Sequence, residues 1–393
     1  MKLNASSTQF GFYKTNALTA SIRYALIFVA TILSVNTAVA DIVIDDDNIG
    51  GGGIDTITAS DPYTPVADIT DTSGAAIRVN NALGVANGVL KINTGITVSS
   101  TDLEAIIIED GSGSGGSTAV SLTNAGTLSS VLNGLLVQNA AQLTAFNNTG
   151  GIIESTGAAS AGLYLQEDQN NAIINAGIIR NTSSGDGLKL DTEAQTQDFI
   201  NSGTISSATG IAINADTAMA GTFDNSGTIE RTGGTAIDAE AAFKLTNSGT
   251  ITGHIDHATS GALEITQTAA GSIAGNITST ADAAHSITLT GGSVTGNITL
   301  NGATANTFIL NGTAITGSVD LGDGAANSVT LTTGSISGSL DIGANTTAVS
   351  INTGGGDSVT VATFDSLNAT VTMNGAGNFN STTFTNNSTV NHS

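Results

Sequence analysis

The chain has 393 residues, with 49 Gly, two Pro, no Cys and no Trp, and a formal charge of −23 at pH 7. Aromatic residues at 4% against 39% apolar residues imply a thin, aliphatic core, and the lack of cysteine excludes a disulfide framework. The acidic balance excludes nucleic acid and anionic lipid as partners, since both are bound by Lys and Arg, and periodic Ile, Leu and Val exclude a disordered acidic tail.

Residues 1–40 carry Lys2, Lys14 and Arg23 and no acidic residue. An apolar run from Tyr24 to Leu33 follows, then Ala38-Val39-Ala40 before Asp41. A basic start, a short apolar stretch and small residues at a cleavage position predict a secretory signal peptide removed after Ala40. The run is too short for a spanning helix, which needs roughly 20 residues; a retained membrane anchor is the competing reading. After cleavage, six basic residues face 32 acidic ones.

Residues 41–117 read as an N-terminal cap with irregular first coils. Asp45–Asp47, Gly50–Gly53, Pro62, Pro65 and Gly111–Gly116 are turn or linker signals. Strand-like pieces lie between them at Ala76–Val79, Val89–Ile92 and Ala105–Ile108.

A repeat region spans 118–351. Its first part carries the signature Asn-x-Gly-x-Ile, beginning at Asn124, Asn148, Asn175, Asn201, Asn225 and Asn247, at intervals of 24, 27, 26, 24 and 22 residues. At equivalent positions of successive coils these amides are expected to form a ladder. From Ser286 to Ala348 the interval settles at 21 residues. Ile287, Phe308 and Val329 then coincide, as do Leu289, Leu310 and Leu331; Val294, Ile315 and Ile336; Ile298, Val319 and Leu340; Leu300, Leu321 and Ile342. Gly296, Gly317 and Gly338 keep one place as well. A fixed period in the twenties with period-two alternation inside it predicts a β-solenoid, one coil per repeat. Twenty-one residues make a closed path of roughly 70 Å, enough for three short sides, with coils stacked about 4.8 Å apart. Residues 352–393 read as degenerate last coils or a truncated end, because the repeat fades past Gly354.

Taken together, the leader, the Asn-Ser-Gly-Thr-Ile repeat (Asn201–Ile205, Asn225–Ile229, Asn247–Ile251) and the Gly-Asn-Ile coils at Gly275–Ile277 and Gly296–Ile298 resemble the passenger region of autotransporters, the type V secreted proteins of Gram-negative bacteria. The resemblance covers nearly the whole chain after residue 40. It implies an all-β, right-handed parallel β-helix, exported through the periplasm to the cell surface, the outer membrane or the extracellular space. It also implies a structural or adhesive role in adhesion, aggregation or biofilm formation. Family members end in a β-barrel translocator, and residues 41–393 contain no series of amphipathic strands with aromatic girdles. The expectation is therefore a barrel encoded further along the gene or by a neighbouring one, with host surface, glycan or self-association as the other partners.

Four constellations could carry chemistry. Gly50–Ile57 fits the calcium-binding pattern G-G-x-G-x-D-x-U, but ion sharing needs tandem copies, and Gly354–Val359 is only a partial echo. His254-Ile255-Asp256-His257 packs three possible ligands together, yet aligns with Asn276 and Asn297 on an outward, solvent-facing strand end. Asp320 and Asp341 stand one coil apart, near the separation used by a retaining glycosidase, and equally suit a tolerated surface column. The row Thr288, Thr290, Thr330, Thr332 faces outward; Ile309 and Asn311 interrupt it in the middle coil, which weighs against ice binding. No catalytic, cofactor-binding or metal-ligating residue is assigned on these grounds. The expectation is a non-enzymatic, cofactor-free surface solenoid, with a polysaccharide-active β-helix enzyme as the alternative.

Overall fold

Aliphatic residues alternate with Thr, Ser and Asn along this chain, so each strand sends every second side chain inward. Ser286–Leu289 buries Ile287 and Leu289 and leaves Ser286 and Thr288 on the outer surface. The computed structural model describes residues 55–57, 62–80, 88–109 and 119–392, apart from 170, 192, 194, 196, 269, 301–303, 325, 347, 367–368 and 387–388. The expected signal peptide and the Gly50–Gly53 run lie outside the described residues. Within them every regular element is a β-strand, and every pairing is parallel.

The strands form a β-solenoid with coils of about 23 residues. Each coil lays one strand on each of three faces. The first face runs from Pro62–Tyr63 through Gly88–Ile92 and Ala119–Asn124 to Val390–His392. The second begins with Ile69–Asp71, Thr97–Ser100 and Thr127–Ser130, and the third with Asp55–Ile57, Ile77–Asn80 and Ile106–Glu109. Where the repeat tightens to 21 residues the corners tighten too, and the 14 residues of Ser328–Asp341 bend across all three faces as one strand.

The aliphatic positions that recur every 21 residues stack as the period predicts: Ile287 on Phe308 on Val329, Val294 on Ile315, and Ile298 on Val319 on Leu340. All fifteen residues of the five recurring sets are at most 3% exposed. Further back, Phe199 and Phe223 occupy one core column with rings parallel at 4.7 Å.

Six buried asparagines line the corner between the first and second faces. Asn124 donates through Nδ2 to Oδ1 of Asn148 at 2.9 Å, Asn148 to Asn175 at 2.7 Å, and Asn175 to Asn201, Asn201 to Asn225 and Asn225 to Asn247 at 2.8 Å each. The second N–H of each amide from Asn124 to Asn201 reaches a backbone carbonyl at 3.3 Å, that of Ile152, Ile178, Thr204 or Thr228. Burying an amide is tolerable only with such partners. Glycine follows because the corners touch: a Cβ on Gly203 would collide with the carbonyl of Gly177, and one on Gly227 with that of Gly203. No positive φ is involved there; the requirement is space.

Strand pairing outlasts the sequence repeat at both ends. The pieces picked out in the lead-in are strands in register with the coils that follow: Ile77–Asn80 pairs with Ile106–Glu109, and Gly88–Ile92 with Ala119–Asn124. Past Gly354, Ser358–Ser366 pairs with the coil before it and with Asn378–Asn386 after it. What fades there is burial, with Phe384 38% and Val390 47% exposed.

Leu310 lies between Leu289 and Leu331 and is fully buried. Leu310→Asp should lower stability by about 3–5 kcal/mol, the cost of an uncompensated buried charge. Thr330→Asp, on the outer surface one coil on, should change it by less than about 0.5 kcal/mol. Denaturant unfolding of the two variants checks the inward assignment.

Candidate functional site

Because coils stack in register, each outward position becomes a column of side chains. On the first face one column reads Thr246, Thr266, Thr288, Ile309, Thr330, Ser350, Thr372. On the second face one reads Thr204, Thr228, Thr250, Ser272, Ser293 and, after Ala314, Ser335 and Thr360. Both are flat, hydroxyl-rich and almost free of charge. Ile309 breaks the first as the sequence implies.

The third face is different. Its column runs Tyr164, Lys189, Asn214, Asp238, Asp256, Thr278, Thr299, Asp320, Asp341, Asp365. Lys189 neutralises its upper end, with Nζ 3.2 Å from Asp216 and 3.8 Å from Asp191. Tyr164 donates its hydroxyl to Asp191 at 2.7 Å. Below, Asp238 is half-buried against Asp256; burial first, and then the Asp256 charge, push its carboxyl up to about 6. Asp256 itself accepts the Thr235 hydroxyl at 2.7 Å.

Asp320 and Asp341 are stacked partners, as expected, and Asp365 extends the column by one coil. Asp320 accepts the Gly322 N–H and Asp341 the Gly343 N–H, both at 2.9 Å. These carboxylates thus fix the turn at the end of the third face. Partial burial, and then Asp320 and Asp365, raise the Asp341 carboxyl above its ordinary range.

The histidine cluster requires a correction. His254 does stand in the column of Asn276 and Asn297: Asn276 N–H donates to His254 Nδ1 at 3.0 Å, Asn297 N–H to Asn276 Oδ1 at 2.9 Å, and Ser318 N–H to Asn297 Oδ1 at 2.9 Å. His257, in contrast, is not a solvent-facing strand end. It points inward and is 1% exposed, because it lies an odd number of residues from His254 and alternation turns it to the other side. Its Nδ1 meets Ser279 Oγ at 2.9 Å, and its Nε2 donates to the Ala241 carbonyl at 2.9 Å.

The corner between the third and first faces carries polar groups that the repeat does not announce. Gln169 and Gln195 are buried there and donate to the Glu167 carbonyl at 2.9 and 3.1 Å. Further along, His285 N–H donates to Asn306 Oδ1 at 2.9 Å and Asn306 N–H to Asn327 Oδ1 at 2.8 Å. The only signal for them in the sequence is a polar residue just before a strand, which any turn also supplies.

Of the calcium-like pattern, Asp55–Ile57 is described and forms a strand paired with Ile77–Val79. Its echo at Gly354 is a turn, in which Asp357 N–H donates to the Gly354 carbonyl at 3.0 Å. Compared with protein-family models, characterised proteins and solved structures, the chain matches none of them.

Asp238 titrates higher in the fold than in the unfolded chain, so its contribution to stability is complete below its unfolded value near 3.8 and is lost as pH rises through about 6. Asp238→Asn should therefore stabilise the solenoid at neutral pH, by about 1 kcal/mol after solvent screening. The gain should vanish toward pH 4, which denaturant unfolding at the two pH values checks.

Proposed function

We propose that this chain is an exported, surface-displayed solenoid of the autotransporter passenger type, whose role is structural and adhesive rather than catalytic. The observation that carries this reading is the pair of faces on which Thr and Ser recur over runs of successive coils, as in Thr204, Thr228, Thr250, Ser272 and Ser293. Each hydroxyl offers one weak contact; a column of them offers many at a fixed spacing, and linked weak contacts multiply. A glycan, a host surface or a second rod suits such a face. Nucleic acid does not, given a charge of −23. Export rests on the leader at residues 1–40, and a β-barrel translocator is the partner that display would require.

Displaying the chain on a non-adherent bacterium should raise settling or surface attachment. Thr250→Lys, in the middle of the second face, should cut that gain several-fold and leave thermal unfolding unchanged. Attachment equal to that of undecorated cells would remove the adhesive reading.

A second reading has one specific observation behind it, the column Asp320, Asp341, Asp365 on the third face. Stacked carboxylates, one of them held protonated to higher pH than usual, are the groups a polysaccharide-cleaving site uses. Incubation with acidic and neutral glycans should yield new reducing ends or unsaturated products on this reading, and Asp341→Asn should abolish them. An unchanged glycan panel would retire it.

A further inference from the structure

Three of the chain's four histidines, His254, His257 and His285, fall in two adjoining coils. Two are fully inside: His257 and His285 are each 1% exposed, with their rings edge to face at 5.5 Å. Between them stands one hydroxyl, Ser279 Oγ, 2.9 Å from His257 Nδ1 and 3.0 Å from His285 Nε2.

The surrounding backbone dictates which nitrogens carry protons. Leu263 N–H donates to His285 Nδ1 at 3.1 Å, so that nitrogen must be bare. The His285 proton is then on Nε2, which donates to Ser279 Oγ or to the Ala281 carbonyl at 3.1 Å. His257 Nε2 faces the Ala241 carbonyl and must carry its proton, which leaves Nδ1 to accept from the Ser279 hydroxyl. Every polar atom of the relay is satisfied with both rings neutral. A second proton on His285 would set Nδ1–H against Leu263 N–H, donor against donor. A second proton on His257 would leave the Ser279 hydroxyl proton without its acceptor.

We propose that the His257–Ser279–His285 relay is an acid-sensitive joint, at which proton uptake by the two imidazoles loosens the corner between neighbouring coils while the remaining coils stay closed. Burial holds both imidazoles below their ordinary value near 6.5, and the His285 ring adds to the effect on His257. The unfolded chain therefore binds more protons below that value. The stability these rings contribute is complete above about pH 6.5 and falls as the solution becomes more acidic.

The charged groups on the elements packed against the pair face away from it or stand at the corner. Lys244 and Glu264 are exposed on the first face, Asp238 and Asp256 lie on the outer side of the third, and Glu240 and Asp282 are exposed at the corner. Asp238 works in the opposite sense, gaining stability as it takes up a proton near pH 6. A global unfolding temperature would mix the two effects, so the test must be local.

Amide hydrogen exchange of the full chain, compared at about pH 7.5 and about pH 5 after correction for intrinsic rates, provides it. Because the unfolded chain takes up these protons more readily, opening across 255–289 should rise several-fold on acidification, with no such rise across 119–165. His285→Asn keeps the acceptor, since Asn306 holds the equivalent site one coil on, and His257→Gln keeps one donor and one acceptor. The double variant should lose the acid response. A uniform rise along the rod, or a response retained in the double variant, would overturn the proposal. Should the variant not fold, proton NMR of the wild-type imidazoles decides: two of the four should titrate below the ordinary range, and four ordinary titrations would overturn it.

Discussion

Parallel backbone hydrogen bonding between successive coils is the constraint on which everything else in this molecule depends. It fixes coil spacing at about 4.8 Å and leaves no freedom to slide, because a one-residue slip would turn the aliphatic row to solvent. A single coil buries only about five aliphatic side chains and cannot offset the ordering of its own backbone. Its neighbours must supply the rest, so stability is a property of the stack. The same spacing turns every residue type into a column: aliphatics into a continuous core, Asn124 to Asn247 into a chain of amides, and Thr204 to Thr250 into a row of hydroxyls. It also explains Gly203 and Gly227, since two corners at this distance leave no room for a Cβ.

Columns are benign for neutral side chains and costly for charged ones. Three of its cations stack on anions in an adjacent coil: Arg180 holds Glu154 through Nε at 2.8 Å and Nη2 at 2.6 Å, Arg78 holds Glu109 at 2.6 Å, and Lys189 lies 3.2 Å from Asp216. Beyond Lys244 there is no Lys or Arg. The acids that remain on the third face stand over one another, and their repulsion is relieved by turn N–H groups, as at Asp320 and Asp341. Asp238 lies within the strand Thr228–Ala239 rather than at a turn, and burial followed by the Asp256 charge pushes its carboxyl up to about 6.

The architecture was legible because its cause is periodic. Ile287, Phe308 and Val329 share a column for the reason they share a place in the repeat, and the Asn ladder could be read from spacing alone despite intervals from 22 to 27 residues. Variable turns absorb the difference while the strands keep register. What could not be read was the corner between the third and first faces. His257 and His285 meet although 28 positions separate them, because one closes a third-face strand and the other lies just before Ser286–Leu289, the first-face strand stacked on Leu263–Gln267. Neither position carries a repeated residue type, so no period points to them. Past Gly354 the reverse holds: backbone pairing continues where the side-chain pattern has faded, since ladder hydrogen bonds need only extended chain and a partner.

Function follows the same division. The features a stack produces by repetition are long columns of like side chains on its faces. The features it produces once, at a corner, are buried and irregular, and their strength does not grow with length. A rod built on collective stability is therefore robust on its faces and vulnerable at its singular corners. A change in the protonation of one relay perturbs the two interfaces it touches, while the coils on either side keep their own hydrogen bonds and opening stays local. The histidine corner has coils in register on both sides of it, so a local loosening there would separate two stretches of the stack that are otherwise continuous.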